Sequence, residues 1–191
     1  GTGSTQLIQR APNVLTQREL LRMVEAQQRL ADRSDLRVVQ TVSAASVVAQ
    51  TLDPDADSLD EQIRALELAT EGEVAAAVRE NADNPRFVGL LADDFNPTTP
   101  RATATVGVVT HSIPLADDSG AGQGGESPLT QIQQKSARVV ATVGGDISVF
   151  GSGVIADEFG TVITDSLIIV VPAAVLFIVL FLVVAYRDLV D

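Results

Sequence analysis

Apolar and polar residues repeat at two different periods along this chain, and each change of period marks an element. Residues Ser4 to Arg10 alternate weakly, as a strand with one covered face does. From Thr16 the period lengthens. Leu20, Met23, Val24, Leu30 and Ala31 recur at helical spacing as far as Asp32. Thr16 and Glu19 stand at the spacing of a capping box, and Leu15 and Leu20 at the positions of a hydrophobic staple. Leu36 to Val42, rich in β-branched residues, reads as a second strand. The stretch from Ser43 to about Asn84 is helical and rich in small residues. Within it Ser58 with Glu61 and Thr70 with Glu73 each open a short helix, and Asn84-Pro85 stops the second. Ala92 to Pro100 is loop by composition, and Ala102 to Ile113, mostly Thr and Val, is a third strand. A Gly-rich acidic loop, Asp117 to Glu126, precedes Ser127-Pro128, an N-cap with proline at the first helical position. Leu129, Ile132, Ser136, Val139, Val140 and Val143 mark one face of that helix, and Gly144-Gly145 ends it. Ile147 to Phe150 is a short fourth strand, after which Gly151-Ser152-Gly153 turns the chain into a last helix from about Val154.

With the helical insertion at 43–91 set aside, the order is β-α-β-β-α-β. This predicts an α+β fold, a ferredoxin-like split β-α-β sandwich with helices on one sheet face. Beyond it, Ser166 to Tyr186 are 21 consecutive residues without a charge. As a helix they would be roughly 30 Å long, the thickness of a bilayer's hydrocarbon core. Such a run at the C-terminus is too long for a signal peptide, and nothing apolar of that length precedes it. The expected organisation is therefore a domain at 1–153, a helical connector at 154–165 and a transmembrane helix at 166–187.

Composition narrows the chemistry. Asp and Glu number 25 against 13 basic residues, and Lys135 is the one lysine. No basic stripe exists to neutralise phosphates, which argues against nucleic acid as a partner. An acidic surface nearly free of lysine fits a halophile, because molar salt screens the self-repulsion. The absence of cysteine removes disulfides, thiolate metal sites and cysteine nucleophiles. A chain opening at Gly1 inside a strand suggests a fragment or processed form.

Four features have the spacing or position of possible sites. Gly120-Ala-Gly122-Gln-Gly124-Gly125 contains the glycine spacing of a dinucleotide loop, but Asp117, Asp118 and Glu126 would repel a pyrophosphate there. Asp53, Asp55 and Asp57 open like a calcium loop. Ser58 and Arg64 then occupy the places of its glycine and closing glutamate, so an acidic turn feeding the Ser58 cap is expected. His111, the only histidine, alternates within its strand and has no nucleophile placed around it by the sequence, so no catalytic, cofactor or metal residues are assigned and no enzyme is expected. Pro172 lies inside the apolar run, where it removes one helical hydrogen bond and can kink the helix. Asp157, Glu158 and Asp165 before the run and Arg187 after it favour the domain outside and the C-terminus in the cytoplasm.

Taken together, Gly151-Ser152-Gly153, the acidic helix Val154 to Ser166, the Pro172-containing run and the close in Ala185-Tyr-Arg187-Asp resemble the second transmembrane helix of resistance-nodulation-division (RND) transporters. They are most similar to the MMPL and Patched-like branch in its haloarchaeal form. Val14-Leu-Thr-Gln-Arg-Glu-Leu is similar to the start of the first porter helix in that branch, and Phe95 to Pro114, with Pro100-Arg-Ala-Thr-Ala-Thr-Val-Gly-Val-Val-Thr-His-Ser-Ile-Pro, resembles its third strand. The resemblance implies an extracytoplasmic porter domain of an exporter of lipid or other hydrophobic molecules, with membrane lipids and further transmembrane helices or subunits as partners. No acid lies between Ser166 and Tyr186, so no ion-relay carboxylate carries over and this chain alone should not transport. The rival reading is a C-terminally anchored bitopic surface or viral spike protein acting as a binding module.

Overall fold

The computed structural model describes residues 1–113 and 127–151, all within one compact unit spanning Gly1–Val154. The Gly-rich loop, the connector, the apolar run and Pro172 lie outside the described residues. Among the described residues, no helix is long and apolar enough to cross a membrane.

The chain follows the predicted order. Strand β1 (Thr2–Arg10) leads into helix α1 (Gln17–Ala31), then strand β2 (Val38–Val42). Four helices follow, α2 (Ala44–Leu52), α3 (Leu59–Leu68), α4 (Glu71–Glu80) and the single turn α5 (Pro85–Val88). Strand β3 (Ala104–Ser112), helix α6 (Pro128–Val140) and strand β4 (Asp146–Phe150) complete it. The four strands form one antiparallel sheet in the order β2-β3-β1-β4. The longest ladder joins β1 to β3 from Thr2↔Ser112 to Arg10↔Ala104.

Alternation decides which sheet face is covered. Thr5, Leu7 and Gln9 of β1 and Thr105, Val109 and His111 of β3 are buried beneath α1 and α6, while their even-numbered neighbours are exposed or half-buried. Helix α1 comes down close on β3 because position 107 is glycine. A Cβ there would lie 2.8 Å from the Sδ of Met23, itself in the core. Strand β2 covers only part of β3, beginning opposite His111 and ending opposite Val108. Leu90–Ala92 pairs with the rest, through Val106 N–H to Leu90 O (2.9 Å) and Ala92 N–H to Ala104 O (3.0 Å). Buried Phe87 meets Phe95 edge-on, with ring centroids 5.8 Å apart, and packs the end of the insertion into the core.

Local chemistry sets the helix starts. Ser58–Glu61 and Thr70–Glu73 form complete capping boxes, and these bonds hold both glutamates below the usual carboxylate range. Thr16 caps α1 as expected, but Glu19 does not return the favour. Its carboxylate turns inward instead, for a reason given below. Two expectations need correction. Leu36 does not begin a strand; Ser34–Leu36 is a 3₁₀ turn that buries Leu36, and Arg37 takes a left-handed conformation (φ 49°) before β2 starts. Asn84-Pro85 does not stop α4, which ends at Glu80; Asn84 caps α5, with Pro85 in its first turn.

Because Met23 is walled in, it cannot swing away from a new methyl group. Gly107→Ala should therefore destabilise the domain by about 1–3 kcal/mol through overpacking. The measurement is a lower urea midpoint at unchanged slope.

Candidate functional site

Between the sheet and α1 lies a layer of polar side chains that ordinary core patterning does not call for. His111 is fully buried. Its Nδ1 lies 2.7 Å from the carbonyl oxygen of Leu36, so that nitrogen carries the proton and donates. Its Nε2 is then left to accept from the hydroxyl of Thr5 at 2.9 Å. The histidine thus ties β3 to β1 and to the turn before β2. Burial pushes the imidazole below its ordinary value, against the opposing pull of the Leu36 carbonyl.

A second cluster surrounds Glu19. Gln9 donates from Nε2 to the Glu19 carbonyl oxygen (2.9 Å) and to its Oε2 (3.1 Å). Arg22 Nη1 meets Oε1 at 2.6 Å, and Arg18 Nε approaches the same oxygen at 3.5 Å. With its amide N–H groups directed to Glu19, Gln9 leaves its Oε1 buried without a hydrogen-bond partner among the described residues. The Arg22 side chain in turn lies over Gly145, where the turn after α6 needs φ +91° and a Cβ would crowd the guanidinium at 3.1 Å. In the third cluster Ser43 donates to Gln27 Oε1 at 3.0 Å, while Gln27 Nε2 donates to Val42 O at 3.2 Å, fixing the start of α2 beneath α1.

The candidate sites of the sequence reading fare differently. His111 is held by two hydrogen bonds and no acid or nucleophilic thiol accompanies it. Asp53, Asp55 and Asp57 line a turn between α2 and α3, where Asp53 Oδ1 accepts the Asp55 N–H at 3.1 Å and Ser58 caps the helix that follows. Among the described residues, no group of three His, Asp or Glu side chains could hold a metal ion.

Two surfaces outside these predictions have the shape and polarity for binding. A cleft of about 630 Å³ opens between edge strand β2 and the helical insertion, walled by Val38, Val42, Val47, Leu59 and Leu90 with Arg86 at its side. Next to it Val39, at a break in the β2 register, is 60 % exposed. The open sheet face adds half-buried Ile8, Val106 and Val108 and the largely exposed Phe150. The sequence hinted at neither, because the pattern of a strand tells which face is apolar and not which is covered by another element.

No family model, no curated protein and no solved structure matches this chain.

The buried imidazole makes a pH prediction. Unfolded, His111 takes up a proton near pH 6.5; folded, it does so only at lower pH. Its contribution to stability is therefore whole above about pH 6.5 and is lost as pH falls below it, at no more than about 1.4 kcal/mol per pH unit. His111→Gln can reproduce both hydrogen bonds without titrating. Chemical denaturation between pH 7.5 and 5 should show the slope in the native chain and its absence in the variant.

Proposed function

We propose that this chain is an extracytoplasmic porter-like domain with one membrane span, belonging to an RND/MMPL-type exporter of lipid or other hydrophobic molecules. The observation that carries the reading is the connectivity. Two β-α-β units, interlocked in the order β2-β3-β1-β4, with their crossover helices on one face, support the ferredoxin-like porter architecture that the sequence resemblance implies. The insertion falls between β2 and β3 as that reading expects.

The surfaces favour a path over a reaction site. A cleft of mixed lining beside β2, with Val38, Val47 and Leu90 among Gln50, Asp57 and Gln62, and a half-apolar open sheet face offer contact to an amphipathic or hydrophobic molecule. Such surfaces guide a hydrophobic molecule between neighbouring domains. The uncharged run 166–186 would anchor the domain to the bilayer, with Pro172 kinked against neighbouring helices. Since that run holds no carboxylate, energy coupling would reside in other spans.

Two measurements test this. The full chain should remain in the membrane pellet after an alkaline carbonate wash, and removal of residues 155–191 should release it. Reading the encoding frame beyond Asp191 should then reveal further apolar segments of about 20 residues. In the longer protein, Pro172→Ala should reduce export at unchanged melting temperature of the domain. A frame that stops at Asp191 overturns the exporter in favour of an anchored binding module.

A further inference from the structure

His111 stands at one end of the sheet, and what it holds there has few other fastenings. It is the last residue but one of β3, opposite Gly3 near the start of β1. Its Nδ1–H donates to the carbonyl oxygen of Leu36 at 2.7 Å, within the 3₁₀ turn Ser34–Leu36. The next residue, Arg37, takes the left-handed conformation (φ 49°) that a side chain keeps only where its surroundings impose it. The bond from Ser112 N–H to Arg37 O (2.8 Å) and the His111 bond to Leu36 impose it from either side. Beyond the turn, β2 has 5 residues, and its register on β3 breaks between Val38 and Gln40. This strand is therefore weakly laddered, whereas β1 and β3 pair along their whole 9-residue lengths.

A proton on the ring undoes this arrangement. The neutral ring accepts at Nε2 from the Thr5 hydroxyl, 2.9 Å away. A charged imidazole donates from both nitrogens, so that hydroxyl must turn its own hydrogen elsewhere. Thr5 is as fully buried as His111, and its hydroxyl has no second hydrogen bond among the described residues. Nor does an acid wait for the charge. Helix α1 turns Gln27 and Leu30 toward the sheet and α6 turns Ile132 and Ser136, while the other charged residues of both helices, Glu19 apart, are exposed or half-buried. Glu19 is inward, but it lies on Gln9 near the other end of β1. Strand β1 brings only Arg10, at its far end, and β2 and α2 bring no ionisable group. The turn adds Arg33, Asp35 and Arg37, and Asp35 is already held by Arg33 at 3.0 Å and by Lys135 of α6 at 3.4 Å. The amino group of Gly1, on Ile113 O, is a further cation at the strand end. A sealed imidazolium there is desolvated and uncompensated.

We propose that His111 is an acid-released latch, whose protonation frees the 3₁₀ turn and the start of β2 while the β1–β3 ladder stays closed. The ring leaves the core with its proton, Leu36 O and the Thr5 hydroxyl lose their partner, and Arg37 relaxes out of its left-handed conformation. The opening is local because His111 sits at the end of the ladder, with the pairs from Ser4↔Thr110 to Arg10↔Ala104 all on one side of it. Val38 moves with the turn, and Val38 belongs to the wall of the 630 Å³ cleft beside β2, so acidity is coupled to the shape of that cleft. The sign follows from the two states of the ring. Exposed, it takes up a proton near pH 6.5; sealed, it does so only at lower pH, so release sets in as pH falls below about 6.5. The inference is independent of what the protein exports.

The test is amide hydrogen exchange of the full chain in detergent between pH 7.5 and 5, corrected for the intrinsic pH dependence of exchange and repeated in sub-denaturing urea. Residues 36–41 should be protected at least about 10-fold less than residues 5–9 and 105–109, and should lose about a further 10-fold at the lower pH. Their exchange should not respond to urea, because a local opening exposes little surface. Ladder amides share the acid loss, since global unfolding also frees the ring, but their exchange should rise with urea. In His111→Gln the protection of residues 36–41 should be independent of pH. The native chain decides the matter even if that variant folds poorly, because the loss must set in below about pH 6.5; an onset only below about pH 5 would assign it to carboxylates and overturn the proposal. Equal protection and an equal urea response in turn and ladder would overturn it too, by making the domain open only as a whole. So would an acid loss in His111→Gln as large as in the native chain.

Discussion

Strands β1 and β3 run antiparallel along their whole lengths, and this central ladder brings Arg10 beside Ala104 across the entire insertion. Loop-closure entropy grows only slowly with loop length, so the ladder can enclose a long segment at modest extra cost. Once it forms, it determines the positions of the other parts. Strand β4 can pair only with the free side of β1, and β2 only with the free side of β3. Helix α1 must then cross the face where Gly107 admits Met23. The insertion, leaving after β2 and returning before β3, has one exit and one entrance, and Leu90–Ala92 completes the hydrogen bonding of β3 where β2 stops short.

The polar layer under α1 is a consequence of that geometry. The face of β1 that turns inward carries Thr5 and Gln9 as well as Leu7, and that of β3 carries His111 as well as Val109. Buried polar side chains are costly unless paired, and each of these four residues bonds a different element, although Gln9 Oε1 has no partner among the described residues. Thr5 meets His111 across the sheet, Gln9 meets Glu19 at the start of α1, and Gln27 meets Ser43 at the start of α2. An apolar contact could slide by one residue without much loss. These bonds cannot, so they specify the register of α1 over the strands. The Glu19–Arg22 pair extends the same constraint to Gly145 and the turn leading into β4.

Features with a local cause were legible in the sequence. The capping pairs at Ser58 and Thr70 work over three residues, and both boxes form; the strand and helix order followed from periodicity alone. What failed depended on distant partners. Thr16–Glu19 has the spacing of a box, but a buried amide at Gln9 and a guanidinium at Arg22 compete for the glutamate, and both are stronger claims on a carboxylate than an exposed N–H. Leu36 has strand neighbours and yet is taken into a 3₁₀ turn by burial, its carbonyl serving His111 from seventy-five positions away. The cleft beside β2 was invisible for the same reason: it is made by the insertion standing off from the strand, which no single segment encodes.

The acidic insertion divides its carboxylates between local structural bonds and bare surface charge. A net charge of −12 would oppose compaction in dilute salt, and ten of the carboxylates lie in the helices and turns between Asp53 and Asp83. Two of these, Glu61 and Glu73, are bound in caps, and Asp53 serves a turn. The remainder make no structural bond that would require an acid, apart from Glu71 at Gln17 and Asp60 at Gln28. These acids are not set apart from the cations, because Asp60 reaches Gln28 near the C-terminal end of α1, Arg64 and Arg79 stand among the insertion's carboxylates, and Asp35 sits between Arg33 and Lys135. Charges mixed in this way are screened from one another in molar salt beyond about 3 Å, so only the bonded pairs still attract there.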